Sequence, residues 1–149
     1  MGCYDFQGTH TNSWFPVGGS ATALEQIQSI SIDEGDNVTG VQGDNNTRAK
    51  SFTVSSSNTT ISLTDSNLEQ ALTVVNGGVM GVYSFKSDDK CQGGSGQTVT
   101  VVVEEVIFDS RSSPFAVQTG TVISRSGQAG SAGKDGETNP VTYVFGATP

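Results

Sequence analysis

The side chains with the greatest chemical reach in this chain are His10, Cys3, Cys91 and the adjacent pair Glu104-Glu105. His10 is the single histidine, so any Ser/His/Asp relay would have to be built on it. No Gly-x-Ser-x-Gly elbow supplies a nucleophile, and His10 reads as an ordinary surface or interface histidine. A reactive thiol needs an electropositive setting. Cys91 lies beside Asp88, Asp89 and Lys90, and the two adjacent aspartates argue the other way, so it reads as structural or incidental. Two cysteines cannot make a disulfide framework, and no C-x-x-C or Cys/His spacing suggests zinc. Reduced thiols are the expectation, with one Cys3–Cys91 bridge left open. Glu104 and Glu105 fall within a predicted strand, where neighbours point to opposite faces. They therefore cannot flank one glycosidic bond; one is expected to face solvent and the other an interface. The acidic segments Asp33-Glu34-Gly35-Asp36-Asn37 and Gly43-Asp44-Asn45-Asn46 offer oxygens to a calcium ion but fit no EF-hand spacing, so they read as turns. Val17-Gly18-Gly19-Ser20 lacks the Gly-Lys-Ser/Thr of a phosphate loop. Ser126-Gly127-Gln128-Ala129-Gly130 leads into more loop and no helix, so it is no dinucleotide fingerprint. No catalytic, cofactor-binding or metal residue is assigned, no cofactor is expected, and the protein reads as a non-enzyme whose function lies in shape and surface.

The elements that would position these residues are mostly strands. Ile30 and Ile32 alternate with Ser29, Ser31 and Asp33, the period of a half-buried strand. Val38–Val41, Phe52/Val54 and Ile61/Leu63 repeat the signal between turn-forming clusters, so residues 24–64 predict a meander of short antiparallel strands. Further strands are expected over 79–85, 98–108, 115–124 and 141–145. One helix is predicted at about 66–76. Ser66-x-x-Glu69 forms a capping box, Leu68, Ala71, Leu72 and Val75 form one apolar stripe, and Gly77 stops it. The fold class is mainly β: an antiparallel β-sandwich or small barrel of about eight strands with one flanking α-helix. Residues 1–149 read as one domain, with an irregular aromatic arm at about 1–20 and long loops at about 86–97 and 126–139.

Composition sets the surface. The 149 residues carry a formal charge of −8 and 19 glycines. Such a surface repels phosphate backbones and disfavours nucleic acid gripped in a basic groove. No positive and then apolar leader is present at the N-terminus, and no run approaches the roughly 20 apolar residues of a membrane span. Phe6 stands where a myristoylation signal needs Ser or Thr. The expectation is a soluble protein made in a cytoplasm, with no membrane insertion.

The order of these signals resembles the tail tube proteins of tailed bacteriophages and the inner tubes of related injection machines. The resemblance rests on Ser13-Trp14-Phe15-Pro16-Val17-Gly18, Ile30-Ser31-Ile32-Asp33, the turn at Gly43-Asp44, and Thr60-Ile61-Ser62-Leu63-Thr64. It continues through the helix from Leu68 to Val75 closed by Asn76-Gly77-Gly78 and the final strand Val141 to Phe145, covering roughly residues 14–146. It is a pattern of element order, not a diagnostic motif. It implies hexameric rings stacked into a hollow tube of a virion tail, made in the host cytoplasm. Inner strands would line a lumen through which DNA passes without specific binding. Loops 86–97 and 126–139 and the N-terminal segment would reach neighbouring copies, and sheath, neck or baseplate proteins would be further partners. No catalytic position is carried over. The chain departs from non-contractile members in being short and lacking an extra surface domain, which favours a compact tube under a separate sheath.

Two other readings compete. A capsid decoration protein would also be small, acidic and β-rich, with residues 4–15 as its arm; it would be a trimer or monomer rather than a stacking hexamer. A carbohydrate-binding module would need coplanar exposed aromatics, for which Trp14, Tyr83 and Tyr143 are the candidates.

Overall fold

The computed structural model describes residues 10–43, 45, 47–75, 77, 80–88, 97–115, 117, 122–131 and 138–147. Its strands are β1 (His10–Pro16), β2 (Thr22–Ala23), β3 (Ile27–Gln42), β4 (Ala49–Asp65), β5 (Met80–Asp88), β6 (Gln97–Ser112), β7 (Ile123–Ala129) and β8 (Val141–Ala147), with helix α1 (Leu68–Thr73) between β4 and β5. All strands join one antiparallel sheet in the order β2-β1-β5-β6-β7-β4-β3, and β8 pairs with β6 off that path. The expected mainly-β class with one flanking helix holds, and the sheet stays open rather than closing into a barrel.

Strand β6 organises the sheet. Its β-branched run Val99, Val101, Val103 alternates inward. On one side it pairs with β5; on the other it pairs first with β8 (97–103) and then with β7 (106–112). The changeover falls at Glu104-Glu105, where Gly81 pairs with Val106 but Tyr83 pairs with Val103. Two residues thus oppose one, a β-bulge, and Glu105 has φ 53°. Val103 and Val106 both remain fully buried across it. Inward faces of the other strands complete the core with Trp14, Leu24, Ile27, Ile61, Leu63, Val74, Tyr83, Phe108 and Val141. The Trp14 and Phe108 ring centroids lie 5.1 Å apart.

Four expectations need correction. The meander over 24–64 is a single long hairpin. The turn-like segments Glu34–Asn37 and Ser56–Asn58 pair with each other in register, and Ser57 Oγ donates to Asp36 Oδ1 at 2.6 Å, so two polar clusters continue a ladder instead of turning the chain. The expected irregular N-terminal arm is strand from His10 to Pro16, and its residues 1–9 lie outside the described residues. Of the strand placed at 115–124, residues 116 and 118–121 lie outside the described residues; its end, Ile123 and Ser124, opens β7, which takes residues 126–129 from the expected loop. Its inward positions are Ile123, Arg125 and Gly127, two of which carry no apolar signal. Gly127 is required there, because a Cβ would stand 2.5 Å from the Ile107 carbonyl oxygen. The fourth correction concerns the helix. It spans residues 68–73, not 66–76, and its N-cap is Asn67, whose side chain accepts from the Gln70 N–H. Ala71 and Val74 are buried, while Leu68, Leu72 and Val75 of the predicted stripe are exposed. Asp65, Ser66 and Asn67 fix this rotation: Asp65 Oδ1 accepts from Asn67 N at 2.7 Å, and Ser66 N donates to Gln26 O at 3.0 Å. The expected stop at Gly77 also moves: the helix ends at Val74, whose backbone is extended, and Gly77, with φ 64°, lies three residues beyond it with its N–H on the Phe108 carbonyl at 2.7 Å.

Two buried polar clusters hold the layers in register. Tyr83 donates its hydroxyl to Asn12 Oδ1 at 2.5 Å, and Asn12 Nδ2 donates to His10 Nδ1 at 2.8 Å. Burial, followed by the nearby Asp65 charge, pushes the Tyr83 phenol well above its ordinary value. The folded state keeps a proton that the unfolded state releases above about pH 10. The stabilisation is therefore complete below that pH and is lost as pH rises beyond it. Tyr83→Phe should cost about 1–3 kcal/mol at neutral pH, because Asn12 loses its donor. The gap to wild type should then close by about 1.4 kcal/mol per pH unit above about pH 10. Urea denaturation at pH 7, 10 and 11 checks this; a constant gap would contradict it.

Candidate functional site

The residues with chemical reach do not converge. His10 opens β1, half-buried and engaged with Asn12. Glu104 and Glu105 occupy the bulge and are both half-buried. They stand between two inward valines, so the alternation behind their expected opposite facing does not apply. Asp33–Asn37 lies within β3 rather than in a loop, while Asp44 and Asn46 fall outside the described residues. Cys3, Cys91 and the glycine-rich stretches 89–96 and 132–137 of the two long loops also fall outside them. Among the described residues, no three His, Cys, Asp or Glu side chains could hold a metal ion. No described helix is long and apolar enough to cross a membrane. Of the proposed sugar-stacking aromatics, Trp14 and Tyr83 are buried in the core and only Tyr143 is exposed, so they form no common platform.

What the structure offers instead is an outgrowth and two hollows at its base. Strand β7 covers β4 only over Thr59–Asp65. Beyond that point β3 and β4 continue as a two-stranded ribbon pairing Gly35 with Asn58 out to Gln42 with Ala49. A free ribbon of this kind is marginal in water. Along β3, residues 30, 32, 34, 36, 38 and 40 share one face. The pairs Ile30–Leu63 and Ile32–Ile61 place that face against the core. After the bulge at Asn37/Val38 the same face carries Val38–Val54 and Gly40–Phe52. The core face thus runs out onto the ribbon, where Phe52 is 71% exposed and Val38 and Val54 about half. Gly40 lies beneath the Phe52 ring; a Cβ there would come within 3.4 Å of it. At the far end stand two cations, Arg48 and Lys50.

An apolar groove of about 380 Å³ opens where β8 and β5 flank β6, lined by Ile30, Phe85, Val99, Val101, Tyr143 and Phe145. Beside it a polar cleft of about 280 Å³ separates the ribbon base from the β7–β8 connection, with Glu34 and Asp36 on its wall. Glu34 lies on the cleft wall, four residues along β3 from Ile30 of the groove. Its Oε1 accepts from Asn139 Nδ2 at 3.1 Å, and its charge adds to burial in raising the Tyr143 phenol. Among the described residues β8 pairs with β6 alone, and its residues from Thr142 to Gly146 are exposed. An uncovered strand edge is a template for pairing with another chain. Sequence reading missed the ribbon because its mid-segment is turn-like; the unbroken parity of Ile30, Ile32, Val38 and Gly40 was the available signal.

Comparison with solved structures identifies the architecture. The chain superposes on a component of the anti-feeding prophage baseplate, solved with six-fold symmetry, with a TM-score of 0.60 over 97% of both chains at 7% identity. The likeness of fold runs from end to end of both chains. A second match lies in the sheath–tube complex of an extracellular contractile injection system, PVC, in its extended state. Its TM-score is 0.52 over 92% of this chain and 88% of that one, at 12% identity. No family model and no curated protein matches the sequence. At these identities the likeness is one of fold.

Proposed function

We propose that this protein is a structural subunit of a phage-tail-like particle, a tube subunit that closes into hexameric rings and stacks around a channel. The observation that carries the reading is the end-to-end likeness of fold to a component of a six-fold symmetrised baseplate. The open sheet adds physical support. Exposed β8, the apolar ribbon and the groove are features of a chain that completes its core by association. The charge of −8 suits a conduit that DNA traverses without adhering. In this reading the protein performs no catalysis, is made in the host cytoplasm, and meets sheath, neck or baseplate proteins at its outer and end surfaces.

Negative-stain electron microscopy of the purified full chain over a concentration series tests it. Six-fold rings, or hollow tubes lengthening with concentration, are the expected result. A stable monomer or trimer at every concentration would reject the tube and favour a shell-decorating protein.

A further inference from the structure

We propose that adjacent copies are joined head to tail by the ribbon: the Val38/Phe52/Val54 face of one copy fills the Tyr143/Phe145 groove of the next, and Arg48 and Lys50 enter that copy's Glu34/Asp36 cleft. The inference rests on the tube reading in taking a second copy as the occupant, and it names the surfaces that meet.

Three observations commit the occupant. The first is reach. Phe52 pairs with Gly40, ten residues along β3 from Ile30 in the groove wall. At about 3.3 Å per residue, an extended ribbon holds Phe52 roughly 33 Å from its own groove. The ribbon therefore cannot fill the groove of its own chain, and its apolar face is left for another copy. The second is charge. The chain is acidic overall, yet its ribbon ends in Arg48 and Lys50, and the cleft next to the groove carries Glu34 and Asp36. Lys50 precedes Phe52 by two residues on β4 and Arg48 by four, just before that strand, while Glu34 of the cleft lies four residues along β3 from Ile30 of the groove wall. The third is size. One phenylalanine and two valines form a narrow ridge suited to a groove of about 380 Å³ rather than to a broad flat face. Ridge and groove are different surfaces of one chain, so the contact is heterologous. Repeated, it closes a ring when the rotation between copies divides the circle.

Phe52→Asp and Phe145→Asp test the contact separately, one in the ribbon and one in the groove. Both positions are well exposed, 71% and 64%, so folding survives, and circular dichroism and urea midpoints should match wild type. Each variant alone should stay monomeric, with the concentration for half-assembly raised about 30-fold or more, the loss of one interface hot spot. Their equimolar mixture retains one intact ribbon and one intact groove, and should give a species of twice the monomer mass by analytical ultracentrifugation. A chain carrying both Glu34→Lys and Lys50→Glu should assemble better than either single reversal. If wild type forms rings and Phe52→Asp forms them equally well, the contact is wrong while the tube reading stands. A wild type that never forms rings rejects the tube reading, and the mixture still decides the contact: no dimer overturns it. A mixture that dimerises no more than either variant alone overturns it in every case.

Discussion

Arg125→Met should lower the unfolding free energy by about 3–5 kcal/mol, the cost of breaking a buried charged cluster by removing one partner. Arg125 is 2% exposed on β7, beneath α1. Its Nη1 donates to the Ala71 carbonyl at 2.9 Å and its Nη2 to the Val74 carbonyl. These are carbonyls that a six-residue helix leaves unpaired at its C-terminal end, and α1 has no basic residue of its own in its last turn. The guanidinium also lies 5.3 Å from the Phe108 ring centroid. Burial lowers the Arg125 pKa to about 10, with Arg111 adding to the effect and Asp65 opposing it. Asp65 is buried beside it; burial raises its carboxyl, while the Asn67 N–H and the Arg125 charge pull it back. Without Arg125 the Asp65 carboxyl rises further. The folded variant then binds a proton at a pH where the unfolded chain does not, so its stability increases as pH falls. The deficit against wild type should be largest at neutral pH and shrink toward pH 4. Urea titrations followed by Trp14, the only tryptophan, measure both quantities. A loss below about 1 kcal/mol, or a deficit independent of pH, would contradict this account.

Phe108→Ala should cost about 3–5 kcal/mol, the range for truncating a fully buried aromatic. Phe108 is 0% exposed. It packs on Trp14 from β1, lies under Arg125 from β7, and gives its carbonyl to Gly77 after the helix. Truncation therefore loosens three elements at once. The Trp14 emission should shift to the red even in the folded variant, as its ring loses its neighbour. The double variant with Arg125→Met should lose less than the sum of the single losses by about 0.5–2 kcal/mol, because the ring–guanidinium contact is counted in each. Additive losses would show that the contact contributes nothing. Val17→Ala, at a side chain 74% exposed, serves as control and should stay within about 0.5 kcal/mol.

The two clusters also bear on assembly. α1 and β7 anchor the base from which the ribbon grows, because β7 pairs with β4 up to Thr59. A variant that frees α1 would leave the ribbon chemically intact but less firmly aimed. Substitutions at Phe52 and at Arg125 should thus be separable, the first changing association at constant stability and the second changing stability itself.

Local residue types set much of this architecture. Alternating Ile30/Ile32, Ile61/Leu63 and Val99/Val101/Val103 mark inward strand positions, because a strand with one buried face has period two. The absence of a nucleophile motif and the charge of −8 are visible by inspection. Other features depend on partners far along the chain. Glu34–Asn37 turns or extends according to what faces it, and Ser56–Asn58 faces it. Arg125 is inward because the carbonyls of Ala71 and Val74, more than fifty positions earlier, need a donor. Glu104-Glu105 lose their alternation because β6 changes partner there. Leu68, Leu72 and Val75 are exposed because Asn67 sets the helix start and so its rotation. Hydrophobic period and backbone preference are local free energies carried by neighbouring residues. Register, bulges and the covering of a face are fixed by pairing across the sheet, and only the tertiary structure decided where the core face ran out uncovered along the ribbon.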